Sequence, residues 1–149
     1  MYRNKMAVCV HFVWATWNRL PYVDKDIERE LYRYIPTVCA EQRCEVPAVG
    51  GMPDHVHLLV LMPPIICIAD LMKRVKGSFS RYISAHLKPG ERFAWQRHYG
   101  AFSVSASHKD RIKSYIRNQE RHHADNTTLV SAEETCEEIP VDELHSVPA

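Results

Sequence analysis

Gly50-Gly51-Met52-Pro53-Asp54-His55-Val56-His57-Leu58-Leu59-Val60-Leu61-Met62 decides how this chain folds. Two glycines followed by Met-Pro-Asp make a turn. From His55 the residues alternate, with His55, His57, Leu59 and Leu61 in one set and Val56, Leu58, Val60 and Met62 in the other, which is the period of a strand. Alternate side chains leave a strand on opposite sides, so both imidazoles face the same way about 7 Å apart. One cation can accept a nitrogen from each; two histidines on a solvated sheet surface would leave the same pattern.

Upstream, Val8, Val10, Phe12 and Trp14 alternate with Ala7, Cys9, His11 and Val13, predicting a strand from Met6 to Thr16 that Asn18-Arg19-Leu20-Pro21 ends. Asp24 is placed to cap a helix running toward Cys44 on the stripe Ile27, Leu31, Tyr34, Ile35 and Val38, which Pro36 should kink or shorten. Val46 to Val49 suits a second strand before the turn, and His55 to Met62 forms the third. After Pro63-Pro64 the period becomes helical through Ile68, Leu71, Met72, Val75, Phe79, Tyr82 and Ile83, until Lys88-Pro89-Gly90. A strand with an internal loop is expected from Phe93 to Ser105, and a last helix from about Lys109 to Ala124. The order β-α-β-β-α-β-α predicts an α+β sandwich of the ferredoxin-like split type, a mainly antiparallel sheet with helices packed on one face.

A chain of 149 residues with 46% hydrophobic and 25% charged residues suits one domain with a sizeable core. All 19 Lys and Arg precede residue 126, whereas 6 of the 18 acidic residues follow it, so residues 1–125 carry +7 beneath an overall charge of +1. The division expected is a basic domain over 1–125 and an acidic, poorly ordered tail over 126–149. A basic body points to a polyanionic partner, although solubility alone also accounts for such an excess. The longest apolar stretch is interrupted by Pro63 and Pro64, and the amino terminus lacks the pattern of a secretion signal, so no membrane association and a cytoplasmic location are expected. Five scattered cysteines without a CxxC pair indicate neither a disulfide framework nor a zinc ribbon.

On the last predicted helix, Ile112, Tyr115, Ile116, Gln119 and His123 share a stripe. A phenol and an amide thus occupy positions that face the packing surface, where each needs a polar partner. A hydrated cation beneath the helix would supply one, and so would backbone groups.

Taken together, Val10-His11-Phe12-Val13-Trp14, the Met52 to Val60 stretch, Trp95-Gln96, Phe102-Ser103-Val104-Ser105 and Tyr115-Ile116-Arg117-Asn118-Gln119-Glu120-Arg121-His122-His123 resemble the single-tyrosine HUH transposases, which include insertion-sequence and REP-associated tyrosine transposases. The resemblance spans nearly the whole body; His98 stands where a small residue is expected, and the acidic tail replaces an aromatic-rich extension. It implies a ferredoxin-like HUH fold, a homodimer, a divalent ion held by His55, His57 and Gln119, and Tyr115 as the nucleophile that cuts and rejoins single-stranded DNA at hairpin-bearing ends through a 5′-phosphotyrosine. Two imidazoles and an amide oxygen suit Mg²⁺ or Mn²⁺, whereas Zn²⁺ would recruit a further thiolate, imidazole or carboxylate. Asp54 is a possible extra ligand, with turn formation its simpler role. Trp17, Arg19, Lys73, Lys76, Arg117 and Arg121 are the candidate DNA contacts, and the first strand is a candidate to pair edge to edge between protomers. Two other functions compete: a metal-dependent phosphohydrolase in which Tyr115 only positions substrate, and a protein that binds DNA hairpins without cutting them.

Overall fold

A computed structural model describes residues 1–135 of the chain. Its elements run β1 (Cys9–Ala15), α1 (Lys25–Glu41), β2 (Glu45–Met52), β3 (His55–Leu61), α2 (Ile68–Tyr82), β4 (Gly100–Val104), α3 (Lys109–Arg117), α4 (Gln119–Ala124) and α5 (Val130–Glu133). The four strands form one antiparallel sheet in the order β2-β3-β1-β4. This is the α+β, ferredoxin-like arrangement expected from the element order.

β1 lies inside the sheet, between β3 and β4, and all seven of its residues are buried. The alternation along it therefore reports two covered faces. An interior strand has no free edge, so β1 cannot pair edge to edge with a second copy; the sheet edges are β2 and β4.

Helices cover both faces of the sheet, in contrast to the one-sided packing expected. Val10, Phe12, Trp14, Val56, Leu58 and Val60 meet the apolar stripes of α1 and α2, including Ile27, Leu31, Ile35, Leu71, Val75 and Phe79. The opposite face is smaller: Cys9, Ala48 and Leu59 pack against Ile116, with Ile112 beside them. Asp24 caps α1, its carboxylate accepting from the Ile27 N–H at 2.9 Å. Pro36 lies inside α1 without shortening it, because Ile35, Val38 and Cys39 on either side hold that stretch in the core.

Two segments depart from expectation near the carboxyl end. The last helix is divided at Asn118, whose backbone leaves the helical region (φ −108°, ψ 29°) and whose side chain donates to the Ser114 carbonyl at 2.8 Å. Beyond it, part of the acidic segment packs on the body: α5 follows Leu129, and Ala132 and Thr135 are buried. The rest of the expected tail, 136–149, lies outside the described residues. No helix among the described residues is long and apolar enough to cross a membrane.

Gly50 carries the close approach of α3 to the sheet. A Cβ there would collide with the Ile116 carbonyl oxygen and press on its side chain. Gly50→Ala is expected to cost about 1–3 kcal/mol, the range for overpacking a tight contact, read as a lower urea midpoint with an unchanged m-value.

Candidate functional site

Strand register sets out the site. β3 pairs with β1 so that Val13 lies opposite His57 and Ala15 opposite His55, which puts His11, His55 and His57 on one face. That face is the one α3 covers, and all three imidazoles are buried.

Each histidine of the pair is gripped through one nitrogen. Nδ1 of His57 lies 2.9 Å from Nε2 of His11, and Nδ1 of His55 lies 2.6 Å from a carboxylate oxygen of Asp54. Asp54 is therefore an orienting partner of His55 as well as a turn residue, not a ligand beside it; its other oxygen is 3.6 Å from Arg19. Both Nε2 atoms are left pointing at one place. Such partners on the far nitrogen fix ring orientation and tautomer for a metal ligand.

Glu133 fills that place. Its Oε2 lies 3.2 Å from Nε2 of His55 and 3.2 Å from Nε2 of His57, and its Oε1 accepts the hydroxyl proton of Tyr115. The Leu129 N–H donates to the same phenolic oxygen at 3.0 Å. His55, His57 and Glu133 form the cluster whose ligand atoms converge as a metal site requires, all within 4.8 Å of one another. Sequence reasoning passed over Glu133 because it sits in an acidic stretch with no local pattern.

Gln119 is buried beside the cluster and engaged at both ends of its amide. Its amide nitrogen donates to the Tyr115 carbonyl at 3.2 Å, and its oxygen accepts from Nε2 of His123 at 3.2 Å. His123 is an unexpected neighbour, its ring 5.0 Å from that of His55. His122 lies against Tyr115, with ring centroids 4.7 Å apart.

Charge follows burial. Burial, with His57 beside it, pushes His11 down to about 3, so it is a neutral partner. Burial opposes a charge on His55 too, but the hydrogen bonds to Asp54 and Glu133 outweigh it and lift His55 to about 8. Burial holds His57 below its ordinary value. Glu133 is held well below the usual carboxylate range by His55 and His57 despite its burial. Tyr115 rises to about 12, first through burial and then through its bond to the Glu133 carboxylate. In this arrangement the phenol stays protonated at neutral pH.

The basic and aromatic candidates divide between the two faces. Trp17 is exposed in a short turn, Trp17–Arg19, at the end of β1, next to the Arg19 and Asp54 pair. Arg117 and Arg121 are exposed on α3 and α4, on the site's face, and line a cleft of about 480 Å³ with Lys25 and Gln119. Lys73 and Lys76 belong to α2, across the sheet. Lys76 is occupied: its ammonium donates to the carbonyls of Gln96 (2.6 Å) and His98 (3.2 Å), and burial brings it down to about 8.

Comparison with known proteins bears on the family and the fold. Residues 4–119 match the family described as IS200-like transposases. The ISDra2 transposase TnpA of Deinococcus radiodurans is 29% identical over 114 residues, which span 73% of this chain and 81% of the relative. A crystal structure of a Deinococcus radiodurans R1 protein assigned as a transposase superposes with a TM-score of 0.64 at 26% identity, covering 80% of this chain and 96% of that one. A REP-associated tyrosine transposase bound to a REP hairpin shares the fold, with a TM-score of 0.62 at 17% identity over 83% of this chain and 73% of its own.

The two orienting contacts have a measurable consequence. Asp54→Ala and His11→Ala each release one imidazole, and each is expected to weaken Mn²⁺ binding about 10- to 100-fold in calorimetric titration while the far-ultraviolet circular dichroism stays that of the unaltered protein.

Proposed function

Since the chain belongs to the IS200-like transposase family, we propose that it cuts and rejoins single-stranded DNA at hairpin-bearing ends, with Tyr115 as the nucleophile. The observation that carries this reading is the meeting of a buried histidine pair and the Tyr115 hydroxyl at one carboxylate, on a basic body. The metal donor set fits the expectation of a divalent ion, Mg²⁺ or Mn²⁺. His55 and His57 would hold it, with Gln119 as the third donor that the family resemblance implies. When bound, the ion supplies Lewis-acid stabilisation of the negative charge that develops on the scissile phosphate.

The residues of the chain do the rest. Tyr115 Oη attacks phosphorus, an Oη–P bond forms and the P–O3′ bond breaks. The 5′ end stays on the protein as a phosphotyrosine and the 3′ end leaves as a hydroxyl. The covalent bond conserves the phosphodiester energy, so a second 3′-hydroxyl can reverse the step on another strand without a nucleotide triphosphate. Leu129 N–H orients the attacking oxygen. Arg19, Arg117 and Arg121 are exposed and would neutralise phosphates of the bound strand, and exposed Trp17 would offer a face for an unpaired base.

A homodimer belongs to the same proposal, with β4 the edge left open on one side of the sheet; light scattering should return twice the 17.3 kDa chain mass. A single 17.3 kDa species with full cleavage activity would remove it.

Incubation with hairpin-bearing single-stranded DNA and Mn²⁺ should leave protein attached to the 5′-phosphate created at the break, seen as a retarded band on a denaturing gel. Tyr115→Phe keeps the ring and loses the attacking oxygen, so hairpin binding should persist and the adduct should vanish. A free 5′-phosphate product from that variant would favour a phosphohydrolase, and hairpin binding without cleavage by the unaltered protein would favour a binding module.

A further inference from the structure

We propose that Arg19 is a positioning residue: it shares the Asp54 carboxylate with His55 and releases it when its guanidinium takes a DNA phosphate, so that strand binding and ion binding strengthen each other. The proposal rests on the reading of the histidine pair as an ion site that works on DNA.

The turn that carries Arg19 is locked to the turn that carries Asp54. Thr16 is fully buried; its N–H donates to the Asp54 carbonyl at 2.9 Å, and its hydroxyl donates to the Leu20 carbonyl at 2.6 Å. Between these ties Asn18 and Arg19 both have positive φ, 51° and 53°. Residues other than glycine take the left-handed region reluctantly, and two in succession persist only where the surroundings impose that shape, as they do around functional groups. Here the shape leaves Trp17 and Arg19 at the surface and sets a guanidinium nitrogen of Arg19 3.6 Å from Oδ2 of Asp54.

The two oxygens of Asp54 have different partners. Oδ1 lies 2.6 Å from Nδ1 of His55, and Oδ2 faces Arg19. Only 3% of the His55 side chain is exposed, against 47% of the Arg19 side chain. The inner contact is fixed and the outer one exchangeable. An ion pair at that distance and exposure is weak, and a phosphate offers the same guanidinium two oxygens in a shorter, bidentate arrangement.

Once the guanidinium turns to a phosphate, the charge of Asp54 is no longer offset from outside and acts on the Nδ1–H of His55 alone. A carboxylate on the far N–H raises the basicity of an imidazole and its strength as a metal ligand. The sign follows: Arg19 on Asp54 weakens the hold of His55 on a cation, and Arg19 on DNA restores it. Linkage makes the coupling reciprocal, so that with a cation held, Asp54 is committed to His55 and Arg19 is freer for phosphate by the same factor.

The test is calorimetric titration of the full chain with Mn²⁺, comparing Arg19→Gln, Asp54→Asn and the double variant with the parent protein. All four carry Tyr115→Phe, so that no strand is cut, and each is titrated without and then with single-stranded DNA bearing a hairpin. Without DNA, Arg19→Gln should bind Mn²⁺ about two- to fivefold tighter, the range of a half-exposed ion pair. Asp54→Asn should bind it about tenfold weaker, and the double variant should match Asp54→Asn. With DNA, the parent should gain more Mn²⁺ affinity than Arg19→Gln does, by the same two- to fivefold margin. The Nδ1 proton resonance of His55 should move downfield in Arg19→Gln without metal or DNA, which a role in folding alone would not produce. Unchanged or weaker Mn²⁺ binding by DNA-free Arg19→Gln would overturn the proposal, the weaker case making Arg19 a brace for Asp54. Equal tightening by Arg19→Gln with and without the Asp54 carboxylate would overturn it too, since only the loss of a nearby positive charge would then be at work. Failure of every protein to bind the DNA would count against the transposase reading, whereas the link from Arg19 to His55 is decided by the titrations without DNA.

Discussion

Pairing of β1 with β3, in the register that sets Val13 opposite His57, brings His11 within 2.9 Å of the His57 ring. Everything chemical in the molecule depends on that register. A slip of one residue would turn every side chain of β3 to the other face, sending the imidazoles into the core under α1 and α2 and Val56 and Leu58 into the site. Such a slip is opposed on both sides at once. The larger core is filled by Phe12, Trp14, Leu58 and Val60, none of which has a polar alternative, and the smaller face has no room for them beneath Ile116.

Burying so many polar groups under α3 is tolerable only because they satisfy one another. His57 is held through His11, His55 through Asp54, and Tyr115 through Leu129 and Glu133. A buried polar network that is only partly satisfied is worse than an apolar core, so the members are interdependent. Arg19 continues the chain outward from Asp54 to the surface. The orientation of a buried imidazole is thus linked through a carboxylate to an exposed guanidinium beside Trp17.

Much of this was legible because the period of the sequence changes so clearly. Strand alternation through His55 to Leu61 and the stripe from Ile68 to Phe79 identified elements and their buried sides, and Asp24 marked the start of α1. The histidine pair and Tyr115 were visible as chemistry-bearing residues out of keeping with apolar surroundings. His11 had the same signature, a lone imidazole in an apolar strand, but its role required knowing which strand lay beside it. Two-sided packing was masked by His11, His55 and His57, which give the second face of β1 and β3 a polar look, although the other residues of both strands are apolar on either side, as in strands covered on both faces. The break at Asn118 was missed since the apolar stripe continues in phase on either side. Glu133 was out of reach: its segment has the composition of a solvated tail, and only long-range docking brings its carboxylate to the histidines.

Division of the last helix at Asn118 sets the mechanical character of the site's outer wall. α4 has six residues, too few to remain helical on its own strength. Its order is borrowed from the buried side chain of Gln119 and from Glu120, which pairs with Lys25 of α1 at 2.5 Å. α3, one residue upstream, is instead fixed by Tyr115 and Ile116 against the sheet. The two pieces therefore belong to different opening units: backbone amides of α4 exchange with solvent through local fraying, and those around Ile116 exchange only when the sheet face itself opens. Arg121, which lines the cleft beside Gln119, rides on the softer piece, while the oxygen proposed to attack phosphorus rides on the rigid one.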